Sequence, residues 1–347
     1  MTSATSILVV FTGGTIGSVA RGGEIRTEGR YAWKLLRWYE GSEKDSAVSF
    51  DPVEPLTMLS ENAQPEYWRQ IAEVIRGRVA SSNYSGVIVT HGTDTLAFGA
   101  SFLGFLLRNL ELPVVMVSSN LPLEDEETNG FSNFKDAVTL IKDSLVSGVV
   151  VTYRNPDGRR LAHRAERLMS ATGYGHSFLS SWQSELGQFD AGRFVRDDEV
   201  ASGELRARKA IRPVDSFPSV LSRDCAILHS YPGADYRRVA LDGVRAVIIS
   251  LYHSGTTCVD EAYPYASLKH LVAECGKRAI DLFAVPFLDS PDQYESAAEV
   301  RRMGVHPLTG VTLEASYAKV VLALSERSMG SVADLITERW ASETLGE

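Results

Sequence analysis

Four short apolar runs in the first half of the chain constrain its fold most strongly. They cover residues 6–11 (SILVVF), 86–90 (GVIVT), 114–118 (VVMVS) and 148–153 (GVVVTY). Runs of this kind, rich in β-branched residues, are typical of central parallel strands that are buried on both faces. Helical patterns fill the intervals, at 66–79, 95–109 and 134–147. This alternation predicts βαβ units around a parallel sheet.

A second alternating set follows in the last third of the chain. It predicts strands at 226–230, 244–251 and 279–286, and helices at 266–275, 313–324 and 332–342. The stretch 194–218 is charged, has no clear period and contains two prolines, which is typical of a connection between domains. We therefore predict an α/β protein of two open parallel-sheet domains: a larger N-terminal domain (1–200), a linker (201–222) and a smaller flavodoxin-like C-terminal domain (223–347).

Charge, cysteine spacing and hydropathy disfavour several classes of protein and partner. The 347 residues carry a formal net charge of −9, which disfavours a nucleic-acid partner because like charges repel the phosphate backbone. Cys225, Cys258 and Cys275 show no CxxC spacing, so the sequence indicates reduced thiols rather than disulfides or a metal site. The N-terminus lacks the basic start of a signal peptide, and no apolar run approaches the ~20 residues of a membrane span. We expect a cytoplasmic protein with no membrane partner.

Two loops follow predicted strands directly and carry small hydroxyl residues. One is 12–17 (TGGTIG), and the other is 90–95 (THGTDT). Because ligands of open α/β sheets bind beyond the carboxyl ends of the strands, we expect both loops at one functional edge. The first loop could cradle a phosphate, but its glycines lack the GxGxxG spacing and no Walker lysine follows. A third turn signal, Asn-Pro-Asp-Gly at 155–158, follows the fourth strand.

Together, TGGTIG and the later HGTDT match almost letter for letter the two signature motifs of the bacterial-type L-asparaginase/glutaminase family, which the chain resembles. Weaker similarity extends over 114–119, 133–138 and 311–322. The resemblance implies that the N-terminal domain is catalytic and that Thr15 is a nucleophile forming an acyl-enzyme. It implies that Thr93 activates the second-step water and that Asp94 binds the substrate ammonium. Backbone N–H groups of these loops would form the oxyanion hole, with Gly14 and Gly92 binding substrate.

The chain departs from this family at three places. The family's lysine after the hairpin turn aligns with His163, which can accept a proton but lacks a permanent charge; Arg160 and Arg164 are alternative sources of charge. At the family's substrate-binding segment, Ser60 fits the usual hydroxyl, whereas Glu61 replaces a glutamine or aspartate. An extra carboxylate at this point would favour a cationic group of the substrate.

The third departure concerns the lid. Residues 16–30 resemble the family's mobile lid, but the segment lacks the lid tyrosine, and Tyr31 follows a few residues later. We also expect residues 17–29 to be a loop, because they are polar and glycine-rich. The resemblance further implies a homodimer or homotetramer in which a neighbouring copy closes each site, with 292–295 as a candidate contribution.

The leading hypothesis for function is hydrolysis of a small carboxamide, L-asparagine first, without a cofactor or metal. Loss of the lysine and of the lid tyrosine favours an alternative, an amino-acid-binding protein with little turnover. A third hypothesis is a subunit similar to the archaeal tRNA-dependent amidotransferase component. Such subunits carry an additional N-terminal domain, whereas the first motif here begins at Thr12. His91 has no companion at metal-ligand spacing and is predicted to be a buried, hydrogen-bonded residue.

Overall fold

The computed structural model of the chain describes residues 4–22, 24–27, 33–43, 45–143, 146–200, 218–288, 293–326, 332–341 and 343–344. The chain divides into two units, one of residues 1–217 with 340–347 and the other of residues 218–339. Each unit contains a sheet of its own. The predicted α/β class is therefore confirmed.

The sheet of the first unit has eight strands. In chain order they are β1 (Thr5–Val10), β4 (Val48–Val53), β5 (Gly86–Thr90), β6 (Pro113–Val117), β7 (Gly148–Arg154), β8 (Arg160–Arg164), β9 (Gly187–Asp190) and β10 (Arg193–Arg196). Their spatial order is β10-β9-β8-β7-β6-β5-β1-β4. The five neighbouring strands β4, β1, β5, β6 and β7 are parallel, and four of them are the predicted apolar runs. Their side chains are buried because helices cover both faces.

The other three strands make the sheet mixed rather than parallel throughout. Strand β8 runs antiparallel to β7, and β9 and β10 continue the antiparallel arrangement. The cause is the turn at 155–158, where Asn155 N–H donates to the carbonyl of Arg159 at 2.8 Å and Gly158 adopts φ 86°. A tight hairpin returns the chain beside its own strand in the opposite direction. The sequence signal for the turn was correct, but the strand after it was not predicted.

Helices cover the faces of this sheet. They are α1 (Trp33–Glu43), α2 (Pro65–Ser81), α3 (Leu96–Leu106) and α4 (Gly130–Lys142). Helix α3 is buried along almost its whole length, in agreement with its nearly continuous apolar sequence. Near its end, Phe105 packs edge-on against Trp340, with ring centroids 6.1 Å apart. Helix α1 and strand β4 were not predicted, because polar residues interrupt both patterns.

A two-stranded hairpin occupies part of the predicted lid loop. Strand β2 (Ser18–Arg21) pairs antiparallel with β3 (Glu24–Thr27), and Gly22 between them has φ 61°. The prediction of a loop over 17–29 was therefore wrong for these eight residues. Gly22, one of the glycines that indicated a loop, instead lies in the turn between the two strands. The predicted lid residues 28–30 and Tyr31 lie outside the described residues.

The second unit contains a four-stranded parallel sheet. Its strands are β11 (Cys225–His229), β12 (Ala246–Ser250), β13 (Asp281–Phe287) and β14 (His306–Thr309), in that spatial order. Its helices are α5 (Leu268–Lys277), α6 (Glu295–Arg302), α7 (Leu313–Ser325) and α8 (Val332–Thr337). Strand β14 and helix α6 were missed by the sequence analysis. Within the described part of the chain, no helix is long and apolar enough to cross a membrane.

Candidate active site

The two hydroxyl-bearing loops touch each other beyond the carboxyl ends of β1 and β5. A β-carbon placed on Gly14 would lie 2.4 Å from the backbone nitrogen of Gly92 and 2.8 Å from the carbonyl carbon of His91. Gly14 also has φ 77°, a conformation that side chains of L-residues rarely adopt. Glycine is therefore required at this position for two reasons. Thr15 and Thr93 directly follow Gly14 and Gly92 in the chain, so each threonine is next to the contact between the loops.

Hydrogen bonds hold the two loops together. Thr12 N–H donates to Thr90 Oγ1 at 3.2 Å, and Thr12 Oγ1 donates to the carbonyl of Thr90. All four atoms are buried. Each threonine satisfies a polar backbone group of the other loop, so neither loop can shift without leaving a buried group unpaired. The first threonine of each loop, Thr12 and Thr90, is thus structural.

A third segment, which contains Ser60, completes this edge. Gly13 forms a parallel bridge with Met58, and the N–H of Gly14 donates to the carbonyl of Met58 at 3.0 Å. Ser60 is buried, and its Oγ lies 3.4 Å from Asp94 Oδ2 as a weak hydrogen bond. Thr95 Oγ1 donates to the carbonyl of Ser60 at 2.9 Å. The structure therefore brings Gly14, Ser60, Gly92 and Asp94 together.

The groups expected to meet a substrate are accessible to solvent. Thr15 and Thr93 are half-buried, and Asp94 and Glu61 are exposed. Thr15 begins a short 3-10 turn (Thr15–Gly17) that follows two glycines of positive φ, 97° at Gly13 and 77° at Gly14. Asp94 and Glu61 are carried by adjoining segments, so their carboxylates give this edge a negative charge. Such a charge favours an ammonium group.

His91 is a structural residue, as the sequence analysis predicted. It is fully buried, its Nδ1–H donates to the carbonyl of Gly92 at 2.8 Å, and its Nε2 accepts a hydrogen bond from Trp68 Nε1 at 3.0 Å. Because a carbonyl can only accept, the ring is the neutral Nδ1–H tautomer. Burial lowers the pKa of His91 to about 4. Trp68 on α2 was not identified from the sequence, since a buried tryptophan is ordinary in a helix.

His163 lies on β8 and is fully buried. Its Nδ1 is 2.9 Å from Ser180 Oγ, whereas its Nε2 has no hydrogen-bond partner among the described residues. Burial, and then the positive charge of Arg159, lower the pKa of His163 to about 3. The imidazole is therefore neutral at physiological pH.

The strand registers also locate His163 within the sheet. They link His163 to Val151, then to Met116 and then to Val89 on β5. His163 thus lies three strands from β5, or about 14 Å at the usual strand spacing. Its observed hydrogen bond goes to Ser180 rather than to the loop cluster.

Some predicted features cannot be placed on this site. Tyr31 and Asp292 lie outside the described residues. Tyr294, from the candidate partner-supplied stretch, is exposed and directly precedes α6. Within the described residues, no group of three or more His, Cys, Asp or Glu side chains is arranged to hold a metal ion.

Fold and site together define a class of protein: a two-sheet α/β protein whose hydroxyl-bearing loops meet beyond the carboxyl ends of parallel strands. The chain belongs to the asparaginase family, because residues 6–197 match the family model described as asparaginase, N-terminal. This match includes both loops, Ser60 and His163.

Relatives agree with this assignment, and a solved structure agrees with the fold. A glutamyl-tRNA(Gln) amidotransferase subunit of Saccharolobus islandicus is 31% identical over 66% of this chain, and the match spans only 51% of that relative. The L-asparaginase of Thermococcus kodakarensis is 25% identical over 98% of this chain and 99% of its own length. The structure of the thermostable L-asparaginase from Thermococcus kodakarensis has a TM-score of 0.76 at 21% identity and covers 99% of this chain and 100% of that one.

Proposed function

We propose that the protein hydrolyses a small carboxamide, most readily L-asparagine, to the carboxylic acid and ammonia. The observation that carries the proposal is the contact between Gly14 and Gly92, because Thr15 and Thr93 directly follow these two glycines in the chain. Full-length similarity to an L-asparaginase supports the same reaction. No cofactor is needed, because amide hydrolysis requires only a nucleophile, proton transfers and water.

The proposed reaction has two steps. Thr15 Oγ1 attacks the side-chain amide carbon, its proton reaches the amide nitrogen, the C–N bond breaks, and ammonia leaves. The acyl ester on Thr15 is then attacked by a water that Thr93 positions, which releases the acid and restores the hydroxyl. Backbone N–H groups of the two loops stabilise the oxyanion in each step, and the fixed contact between the loops keeps these donors in place.

Substrate recognition follows from the charges at this edge. Asp94, with its weak hydrogen bond to Ser60, and the nearby Glu61 favour the α-ammonium group of an amino acid. Helix α3 begins at Leu96 directly after this loop, so its first N–H groups and positive dipole end favour the α-carboxylate. The side-chain amide is then the part of the substrate left for Thr15. Gly14 and Gly92 contribute their backbones to binding, since a side chain on either would clash with the neighbouring segment and displace the site.

His163 takes the place of the family's lysine in this proposal, with a different chemistry. A buried imidazole whose pKa is about 3 is a neutral hydrogen-bond acceptor at physiological pH, not a cation. Ser180 occupies Nδ1, and Nε2 has no partner among the described residues. Because β8 lies about 14 Å from β5, we infer that His163 influences the site only through intervening residues and without carrying a charge.

The test is ammonia release from L-asparagine, L-glutamine and other small amides by the full-length protein. We expect turnover with L-asparagine and a loss of at least about 1,000-fold in Thr15→Ala, with thermal stability retained. Thr309→Ala is the matched control, because Thr309 is exposed on β14 in the second unit. If L-asparagine stabilised the wild-type protein against heat but no ammonia appeared, the amino-acid-binding alternative would be correct instead.

Similarity to an amidotransferase subunit favours a second candidate, the supply of ammonia to a partner enzyme. The two candidates differ in how turnover depends on a partner. A free asparaginase releases ammonia alone, whereas an ammonia-supplying subunit gains turnover when its partner is added.

The family resemblance also leads us to propose a homodimer or homotetramer, which light scattering of the purified protein tests directly.

A further inference from the structure

A cavity of about 480 Å³ opens at the edge of the large sheet opposite to the catalytic loops. Its wall includes Gly104 and Arg108, at and just beyond the end of α3, and residues Ser147–Val149, at the beginning of β7. The catalytic loops follow the carboxyl ends of parallel strands, and this wall precedes their amino ends. Strands of five to seven residues separate the two edges by roughly 17–23 Å. The cavity is therefore distinct from the candidate active site.

A buried carboxylic acid, Glu166, forms part of this wall. Its side chain lies over Gly104, where an added β-carbon would be 2.4 Å from Glu166 Oε1. Glu166 is 3% exposed, and its Oε2 has no hydrogen-bond partner within the described part of the chain. Burial raises the pKa of Glu166 to about 7. A buried acceptor without a donor is unfavourable by about 1–3 kcal/mol, and a bound group that donates to it would remove this cost.

Two guanidinium groups line the same cavity and are held by the backbone. Arg164 Nη1 donates to the carbonyl of Ser147 at 2.7 Å, and Arg108 Nη1 donates to the carbonyl of Phe105 at 2.7 Å. The Arg108 guanidinium also stacks over the Trp340 ring, 5.1 Å from its centroid. These contacts fix the positions of the two positive charges. The cavity thus presents a carboxyl group and two fixed cations to one small volume.

Apolar side chains complete the wall. Leu110, Val149 and Ala341 line the cavity beside the charged groups. A ligand that fits all three features carries an ammonium group, a carboxylate and an apolar remainder. We propose that the cavity binds a free α-amino acid with an apolar side chain, its ammonium group at Glu166 and its carboxylate at Arg108 and Arg164. This second site does not depend on the proposed amidase activity, because such a ligand has no side-chain amide.

Binding to this site depends on the ionisation of Glu166. The charged groups that influence or adjoin it are Arg164, Arg167, Glu343, Arg108 and Glu111. Ionised Glu166 balances the ligand ammonium, and protonated Glu166 does not. Since the pKa of Glu166 is raised to about 7, we expect affinity at pH 8.5 to exceed affinity at pH 5.5 by about tenfold or more.

Titration calorimetry of the full-length protein at pH 8.5 tests the ligand chemistry. The probes are L-leucine, 4-methylpentanoate, which lacks the ammonium group, and 3-methylbutylamine, which lacks the carboxylate. We expect one L-leucine per chain and at least about tenfold weaker binding of each single-charge analogue. No heat with L-leucine, or equal affinity for the three probes, would overturn the proposal.

Three variants locate the binding. Glu166→Gln removes the charge, and Leu110→Trp fills the cavity without changing a charge, so each should weaken L-leucine binding about tenfold or more. Asp94→Asn alters the catalytic loops and should leave this binding unchanged. The opposite pattern, with binding lost in Asp94→Asn and retained in the other two, would place L-leucine in the active site and contradict the proposal. Leu110→Trp keeps the test decisive if Glu166→Gln fails to fold.

Discussion

The backbones of Gly14 and Gly92 are in van der Waals contact, so that a β-carbon on Gly14 would come within 2.4 Å of the Gly92 nitrogen. One contact therefore fixes the relation between the two signature loops, and Thr15 and Thr93 are each the next residue along. The chemistry proposed for this protein depends on this approach. The glycines of the two motifs have a physical explanation, because they permit the close approach of the two loops.

Gly92→Ala tests the importance of that approach. The new β-carbon would lie 2.4 Å from Ser60 Oγ and 3.3 Å from the Gly14 α-carbon, so Ser60 must move and the contact with Gly14 becomes too tight. We expect a destabilisation of about 1–3 kcal/mol and a loss of about 100-fold in kcat/KM, measured by urea unfolding and ammonia release. Gly77→Ala is the control, because no atom lies within 4 Å of its new β-carbon on α2. That variant should be stabilised by about 0.5–1 kcal/mol and retain its activity.

Trp68→Phe tests the structural role of His91. The substitution removes the indole N–H and leaves His91 Nε2 as a buried acceptor without its donor. We expect the free energy of unfolding to fall by about 1–3 kcal/mol in urea denaturation. Trp182→Phe, at a tryptophan that is 65% exposed, should change it by less than about 0.5 kcal/mol. Equal effects of the two substitutions would contradict the assignment.

Glu166 should make stability depend on pH even without a ligand. Because its folded pKa is raised from 4.5 to about 7, the unfolded chain loses the proton first as pH rises. Wild-type stability, relative to Glu166→Gln, should therefore fall between pH 4.5 and pH 7, by about 3 kcal/mol at most. Glu274→Gln is a control with the opposite pH dependence. Lys277 and Arg278 lower the pKa of Glu274 to about 2, so wild-type stability relative to Glu274→Gln should rise with pH. If the difference in stability between the wild-type protein and Glu166→Gln were constant with pH, Glu166 would not be buried.

His163 should contribute no titration to catalysis near neutral pH. A group whose pKa is lowered to about 3 stays neutral from pH 5 to pH 8. We expect His163→Gln to lower kcat/KM about tenfold, and by the same factor at every pH in this range. If the ratio of kcat/KM between the wild-type protein and His163→Gln changed through pH 6–7, His163 would be an ionising base of ordinary pKa.

Sequence reasoning found the central part of the fold because its strands are buried on both faces. Residues 86–90 and 148–153 have no polar face, so their apolar runs are visible in the sequence and appear as β5 and β7. The elements that were missed are half-polar or short. Strand β8 (Arg160–Arg164) contains three basic residues, and its place in the sheet follows from the hairpin rather than from its composition.

The candidate site, like the fold, was predictable from the sequence only in part. The two loops that contain Gly14, Gly92 and Asp94 were predicted at one edge, the family resemblance added Ser60, and the structure brings the four together. The partners of the two buried histidines were not predictable. Trp68 and Ser180 lie 23 and 17 residues from His91 and His163, and only the folded sheet and helices bring each pair within hydrogen-bonding distance.

Trapping the acyl-enzyme tests the central claim most directly. Wild-type protein mixed with L-asparagine, quenched in acid during turnover and digested, should yield a peptide esterified by the aspartyl group at Thr15, observable by mass spectrometry. Thr15→Ala treated in the same way should carry no ester. An ester on Thr93, or steady ammonia release from Thr15→Ala at the wild-type rate, would contradict the assignment of Thr15 as the nucleophile.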